Sequence, residues 1–296
     1  PNIVDINDID QTDDDRTFVV MEFLEGESLA QMIHRDGPLD PPRLIAIAAQ
    51  VADALAAAHE KGIVHRDVKP ENVFITQRGG HDFVKVVDFG ISKAMKPQQV
   101  EGEPESPRLT QTGMVLGTPL YMSPEQARGE DDLDHRIDVY ALGVIMYELL
   151  TGKLPFDFSR VSIPEAARKL RDHTATPLSR VDRALRGDLE VIVSTTMHLD
   201  RDRRYSSAAA LAEDIRRYID DRPIVARRES AVYVIGKMAR RHWAIVSLAA
   251  VLLASIVAFA AYSTAMASRN ARLARDSDLA RAAAVKESER NSALSR

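Results

Sequence analysis

Cysteine is absent from the 296 residues. Its absence excludes disulfide cross-links and thiolate metal sites, and it is in keeping with a reducing compartment. A basic excess is missing too: 39 Lys and Arg stand against 44 Asp and Glu, a net charge of −5. That balance argues against a dedicated nucleic-acid binder. The chain starts at Pro1 rather than Met, and its first residues hold neither the basic stretch nor the apolar run of a signal peptide. No glycine precedes Gly26 and no lysine precedes Lys61. What is present is a hydrophobic fraction of 45%, enough for the core of one large domain or two ordinary ones. Composition rules out intrinsic disorder, collagen-like chains and disulfide scaffolds. Charge is uneven, with the acidic excess in residues 1–200 and a basic excess in residues 201–296, so two different surroundings are expected.

Residues 243–267 contain no charged side chain. About 20 helical residues at about 1.5 Å each cross a bilayer core of about 30 Å, so a transmembrane helix is expected here. Trp243 and Tyr262 sit near its ends, where amphipathic rings favour the interface. A buried core helix is usually shorter and keeps a polar face. Basic residues are balanced on the two sides, so charge does not orient the span. Residues 223–242 form a basic juxtamembrane segment able to touch anionic headgroups. Residues 268–296, without Gly or Pro, favour a helical linker with no sustained heptad. Both ends of the chain lack a terminal signal, and a segment cut from a longer protein is expected.

Ahead of the span, the β-branched and aromatic run Thr17–Phe23 follows an acidic turn, predicting a strand pair in the first 23 residues. Leu44, Ile45, Ala48, Val51, Ala52 and Leu55 recur at helical spacing between Pro41-Pro42 and Gly62, predicting a helix over 42–61. Short strands are expected at 63–65, 73–75 and 84–87. Residues 97–119 carry Pro97, Pro104, Pro107 and Pro119. They read as a long irregular segment of the kind that is usually functional or disordered. Helices are expected at 137–150, 164–173, 188–198 and 206–220. A few strands followed by a helical body indicate an α+β domain.

The chemistry concentrates in His65-Arg66-Asp67-Val68-Lys69-Pro70-Glu71-Asn72, followed after a strand by Asp88-Phe89-Gly90. Phosphoryl transfer to an alcohol needs a carboxylate to accept the hydroxyl proton, a cation near the phosphoryl group and hard oxygen ligands for Mg²⁺. Asp67 suits the base, Lys69 the cation, and Asn72 with Asp88 the metal ligands. Singly, each is more often a turn former or a solvated charge. In this order the combination is specific.

With these motifs the chain resembles the eukaryotic-type Ser/Thr protein kinases, in the bacterial receptor-like branch with one membrane span. The resemblance covers residues 1 to about 222 and implies the kinase fold, ATP with Mg²⁺ or Mn²⁺, and protein substrates. His65–Asn72 resembles the catalytic loop, and Asp88–Gly90, with Phe89, the metal-binding turn. Gly117–Glu125 resembles the end of the activation segment, with Ser123 where Ala is usual. The resemblance implies that Asp138 holds the catalytic-loop backbone and that Arg204, with Arg203 beside it, pairs with Glu125. Met21 falls at the gatekeeper and Glu22–Leu24 at the hinge, so Glu22 C=O and Leu24 N–H would meet the adenine edge above a floor formed by Phe74. Thr118, bonded in the family to the catalytic Asp and Lys, marks Ser/Thr specificity. Arg66 before Asp67 marks control by activation-loop phosphorylation, with Thr110 and Thr112 as the expected autophosphorylation sites.

The family's Gly-rich loop, strand Lys and helix Glu are missing from these residues. The expectation is therefore an N-terminally truncated kinase domain over 1–222 that by itself binds ATP poorly and transfers little phosphate. A membrane-anchored pseudokinase scaffold is the alternative, against which stand the intact Asp67, Lys69, Asn72 and Asp88. A small-molecule kinase of similar fold would lack Gly117–Glu125. Because ATP is cytosolic, residues 1–242 are expected in the cytoplasm and 268–296 outside, with homodimers a route to phosphorylation in trans.

Overall fold

The computed structural model describes residues 1–14, 16–89, 119–156, 168, 175–227, 233, 234, 237 and 243–294. The segment from Gly90 to Thr118, with Thr110 and Thr112, lies outside these residues, as does the expected helix at 164–173 apart from Arg168. Two compact units are present, residues 1–233 and residues 234–296.

The first unit opens with an antiparallel hairpin of β1 (Ile6–Gln11) and β2 (Thr17–Met21), in register Ile9↔Val19. The chain then forms β3 (Glu27–Ser28) and α1 (Leu29–Asp36). The strand pair is as expected; β3 and α1 are not. Ser28 starts α1 through a capping box, its Oγ accepting the Gln31 N–H while Gln31 Oε1 accepts the Ser28 N–H at 2.8 Å. The short β3 pairs with β4 (Val73–Arg78), which pairs with β5 (His81–Val86), both antiparallel. At Gly26 a Cβ would stand 2.2 Å from the Ile75 carbonyl oxygen, so only glycine lets the chain cross this sheet.

Ile63–His65 is not a strand. The Ile63 N–H closes on the Ala58 carbonyl at the end of α2 (Pro41–His59), and the His65 N–H goes to the Asp138 carboxylate. With these donors committed, the β-branched Ile63-Val64 pair has no ladder to join.

Five of the helices make the body: α2, α3 (Pro124–Ala127), α4 (Arg136–Thr151), α6 (Asp188–Thr196) and α7 (Ala208–Ile219), with the short α5 (Leu178–Val181) before α6. Helix α4 is buried on every side from Ile137 to Tyr147, the pattern of a central helix. It packs against α2, α6 and α7. A Cβ on Gly143 would lie 2.4 Å from Thr196 Oγ1, so α4 and α6 approach through a glycine. In the second unit, α8 (Trp243–Leu294) runs unbroken for 52 residues. Its stretch Ser247–Ala282 is long and apolar enough, by length and composition, to cross a membrane. The span and the linker expected after it thus fall in one helix.

Candidate active site

Asp138, in the first turn of α4 and 1% exposed, gathers the loop that follows α2. Its Oδ1 accepts the Arg66 N–H and its Oδ2 the His65 N–H, both at 2.8 Å. His59 Nε2, from the end of α2, donates to Oδ2 at 2.8 Å. Three donors converge on one buried carboxylate, which would otherwise be costly to bury. Arg66 adopts a positive φ of 67°, a strained backbone for a non-glycine residue. Its carbonyl accepts Gln126 Nε2 at 3.0 Å, so the loop is held from α3 as well.

His65 is fully buried, with Nε2 donating to the Val87 carbonyl at 2.9 Å. That bond fixes the tautomer and leaves Nδ1 to accept the Asp67 N–H at 3.4 Å. Its ring stacks at a tilt on Phe89, centroids 4.6 Å apart. The loop is therefore braced from both sides, and the side chain of Asp67 is free to face outward, 61% exposed.

Asp67 Oδ2 accepts Lys69 Nζ at 2.6 Å. Asn72 is buried, and its Nδ2 donates to the Asp67 carbonyl at 2.9 Å. The Asn72 carbonyl accepts the Val87 N–H, placing Asp88 one residue beyond that bond. With Nδ2 committed, Asn72 Oδ1 is its available acceptor, a hard oxygen of the kind Mg²⁺ takes. Asp88 is exposed with φ of 60°. Among the described residues there is no cluster of three or more His, Asp or Glu that could hold a metal. The donor set fits an ion held by two side chains and completed by phosphate and water oxygens.

Glu125 and Arg204 form a buried bidentate pair at 2.6 and 2.8 Å, the Arg204 side chain being 0% exposed. Burial alone would raise the Glu125 carboxyl, but the Arg204 guanidinium outweighs it and holds the group below its ordinary range. Arg204 also caps the His198 carbonyl and lies over the Tyr140 ring. Arg203 is exposed, which settles the choice between the neighbours. Tyr121 donates to Glu148 Oε2 at 2.6 Å; burial pushes up both the Tyr121 hydroxyl and the Glu148 carboxyl.

At the expected hinge, Met21 closes β2 and is 38% exposed. Glu22 exchanges backbone and side-chain bonds with Asp5, and its carboxylate accepts Lys85 Nζ at 2.5 Å. Lys85, and to a lesser degree the Asp5 N–H, hold that carboxyl low. Phe74 is half-buried and opposite Lys85 in the β4–β5 register. A cleft of about 720 Å³ is lined by Glu22, Leu24 and Glu27 together with Thr76, Phe83 and Lys85. Phe74, Asn72 and Asp88 are not part of its lining. Thr118 lies outside the described residues. Sequence reasoning missed His59, Gln126 and Lys85, which reach the site from 79, 60 and 63 positions away from their partners. Of these only Gln126 carried a local signal, as the fourth residue of a capping box begun by Ser123.

A sequence profile of the protein kinase domain matches residues 1–215. The serine/threonine-protein kinase pkn3 of Myxococcus xanthus is 39% identical over 240 residues, 78% of this chain and 43% of its own length. PknB of Mycobacterium tuberculosis is 39% identical over 207 residues, 70% of this chain and 31% of its own. The chain thus spans less than half of these curated relatives. Among solved structures, the kinase domain of Mycobacterium tuberculosis PknI aligns with a TM-score of 0.52 at 26% identity, covering 73% of this chain and 71% of that one. A structure of Rad53 1-466 in complex with AMP-PNP aligns with a TM-score of 0.55 at 25% identity, covering 72% and 49%.

Proposed function

Because the chain belongs to the protein kinase family, we propose that it is the catalytic part of a membrane-anchored enzyme that phosphorylates protein Ser and Thr hydroxyls with ATP. The observation that carries this reading is the grip of Asp138 on the His65 and Arg66 amides, with Asp67, Lys69 and Asn72 bonded together just beyond it. Asp67 accepts the proton of the substrate hydroxyl as that oxygen attacks the γ-phosphorus of ATP. Lys69 leaves Asp67 to meet the negative charge of the transferring group. Asn72 Oδ1 and Asp88 would hold Mg²⁺ or Mn²⁺, which supplies charge neutralisation on the phosphates. Glu22 and Leu24 would take the adenine edge over Phe74, with Met21 behind it. Arg66 would meet a phosphate on Thr110 or Thr112, and Thr118 would bond Asp67 and Lys69.

The apolar part of α8 would cross the bacterial cytoplasmic membrane with the kinase unit on the ATP side, and two copies could phosphorylate each other's loops. Residues 1–296 hold no Gly-rich loop or strand Lys and would bind ATP weakly by themselves. A membrane-anchored pseudokinase scaffold is the second reading. The discriminating experiment is phosphate transfer from Mg-ATP by the whole protein and by its Asp67→Asn variant. Activity lost in the variant supports the enzyme; activity surviving in it removes Asp67 from its role; inactivity of both favours the scaffold.

A further inference from the structure

Asp188 opens α6 with its side chain only 6% exposed, and two groups from beyond α7 close on it. Arg227 Nη1 donates to Oδ1 at 2.8 Å and the Tyr233 hydroxyl donates to Oδ2 at 3.0 Å. The same hydroxyl oxygen accepts the Ile224 N–H at 3.1 Å, and the Arg227 guanidinium lies 4.3 Å over the Tyr233 ring. Just before these, the Val225 and Ala226 N–H groups donate to the two oxygens of Asp214 at 2.7 and 2.8 Å. Asp214 is 1% exposed and also accepts the Tyr205 hydroxyl at 2.9 Å.

Two buried carboxylates therefore fasten the segment that leaves the kinase unit toward α8. A buried carboxylate is costly unless it is paired and hydrogen-bonded, and Arg227 and Tyr233 supply such partners to Asp188. Asp188 belongs to α6, α6 abuts α4 at Thr196 and Gly143, and α4 carries Asp138. The path alternates such contacts with runs along α6 and α4 and lies within one compact unit.

We propose that residues 224–227 with Tyr233 form a latch that couples the chain leading toward α8 to the catalytic loop. Releasing Arg227 and Tyr233 from Asp188 loosens α6 against α4 and, through Asp138, the backbone of His65 and Arg66. The coupling needs no phosphate transfer and stands whether or not the whole protein is active.

Amide hydrogen exchange on the full chain in detergent micelles tests it, with Tyr233→Phe as the mild variant and Arg227→Gln as the stronger one. Exchange at Ile224, Val225 and Ala226 should quicken by about tenfold, equivalent to about 1.4 kcal/mol of local opening. His65 and Arg66 should quicken with them, while Ala52 and Leu55 in α2 stay unchanged. Faster exchange at 224–226 alone would overturn the coupling, and no change there would overturn the latch. Equal acceleration in α2 would mean that the contacts merely hold up the whole fold, which also overturns the proposal.

Discussion

At the scale of single residues, the candidate site holds two carboxylates in opposite surroundings. Asp138 is buried under three donors and acts on geometry, while Asp67 is exposed and bonded to one cation. Asp67→Asn in the whole protein should lower phosphate transfer by about a hundredfold or more with ATP affinity little changed, read from kcat and KM. Asp138→Asn presents an amide N–H₂ to backbone N–H donors and strands at least one of them. That should cost about 1–3 kcal/mol in a urea melt. Arg204→Ala would leave Glu125 charged and buried, at about 3–5 kcal/mol by the same measurement. Glu125 also gives a pH signature. Its folded carboxyl lies below the ordinary value of 4.5, so its contribution is complete above that pH and is lost as pH falls through the folded value. Urea midpoints should therefore drop on the acid side, and less so in Glu125→Gln.

At the scale of elements, two helices show how local and distant causes divide. Helix α1 starts at Ser28 through a pattern written within four residues, and Ser28→Ala should cost about 1 kcal/mol in a thermal or urea melt. The packing of α4 on α6 has no such local mark. Gly143→Ala would press a methyl into the Thr196 hydroxyl and should destabilise by about 1–3 kcal/mol, with partial recovery when Thr196→Ala removes that facing oxygen. Helix α2 was legible because its apolar residues recur every three or four positions over many turns. The apolar run at 63–65 looked like a strand for want of any sign that Asp138, 73 positions on, would take the His65 amide. Propensity is a short-range signal, and a partner that far along the chain overrides it.

At the scale of the whole molecule, the two units pose different tests. Membrane fractionation of cells expressing the chain should place it in the detergent-soluble membrane pool, and replacing Leu252 and Val257 in α8 by Arg should shift it out, since each charge at a span's centre is costly. The catalytic-loop string, the Asp88 turn and the apolar run of α8 were determined by sequence alone, because each is a contiguous or regularly spaced pattern whose chemistry needs no partner to be recognised. Tertiary structure alone decided that His59 and Gln126 brace the loop and that residues 224–227 are fastened to Asp214 and Asp188, and it seats Arg204, the neighbour the resemblance had named, against Glu125. Those choices rest on which side chains are carried inward together when α2, α4, α6 and α7 pack. Burial then makes every unpaired donor or charge too costly to leave alone.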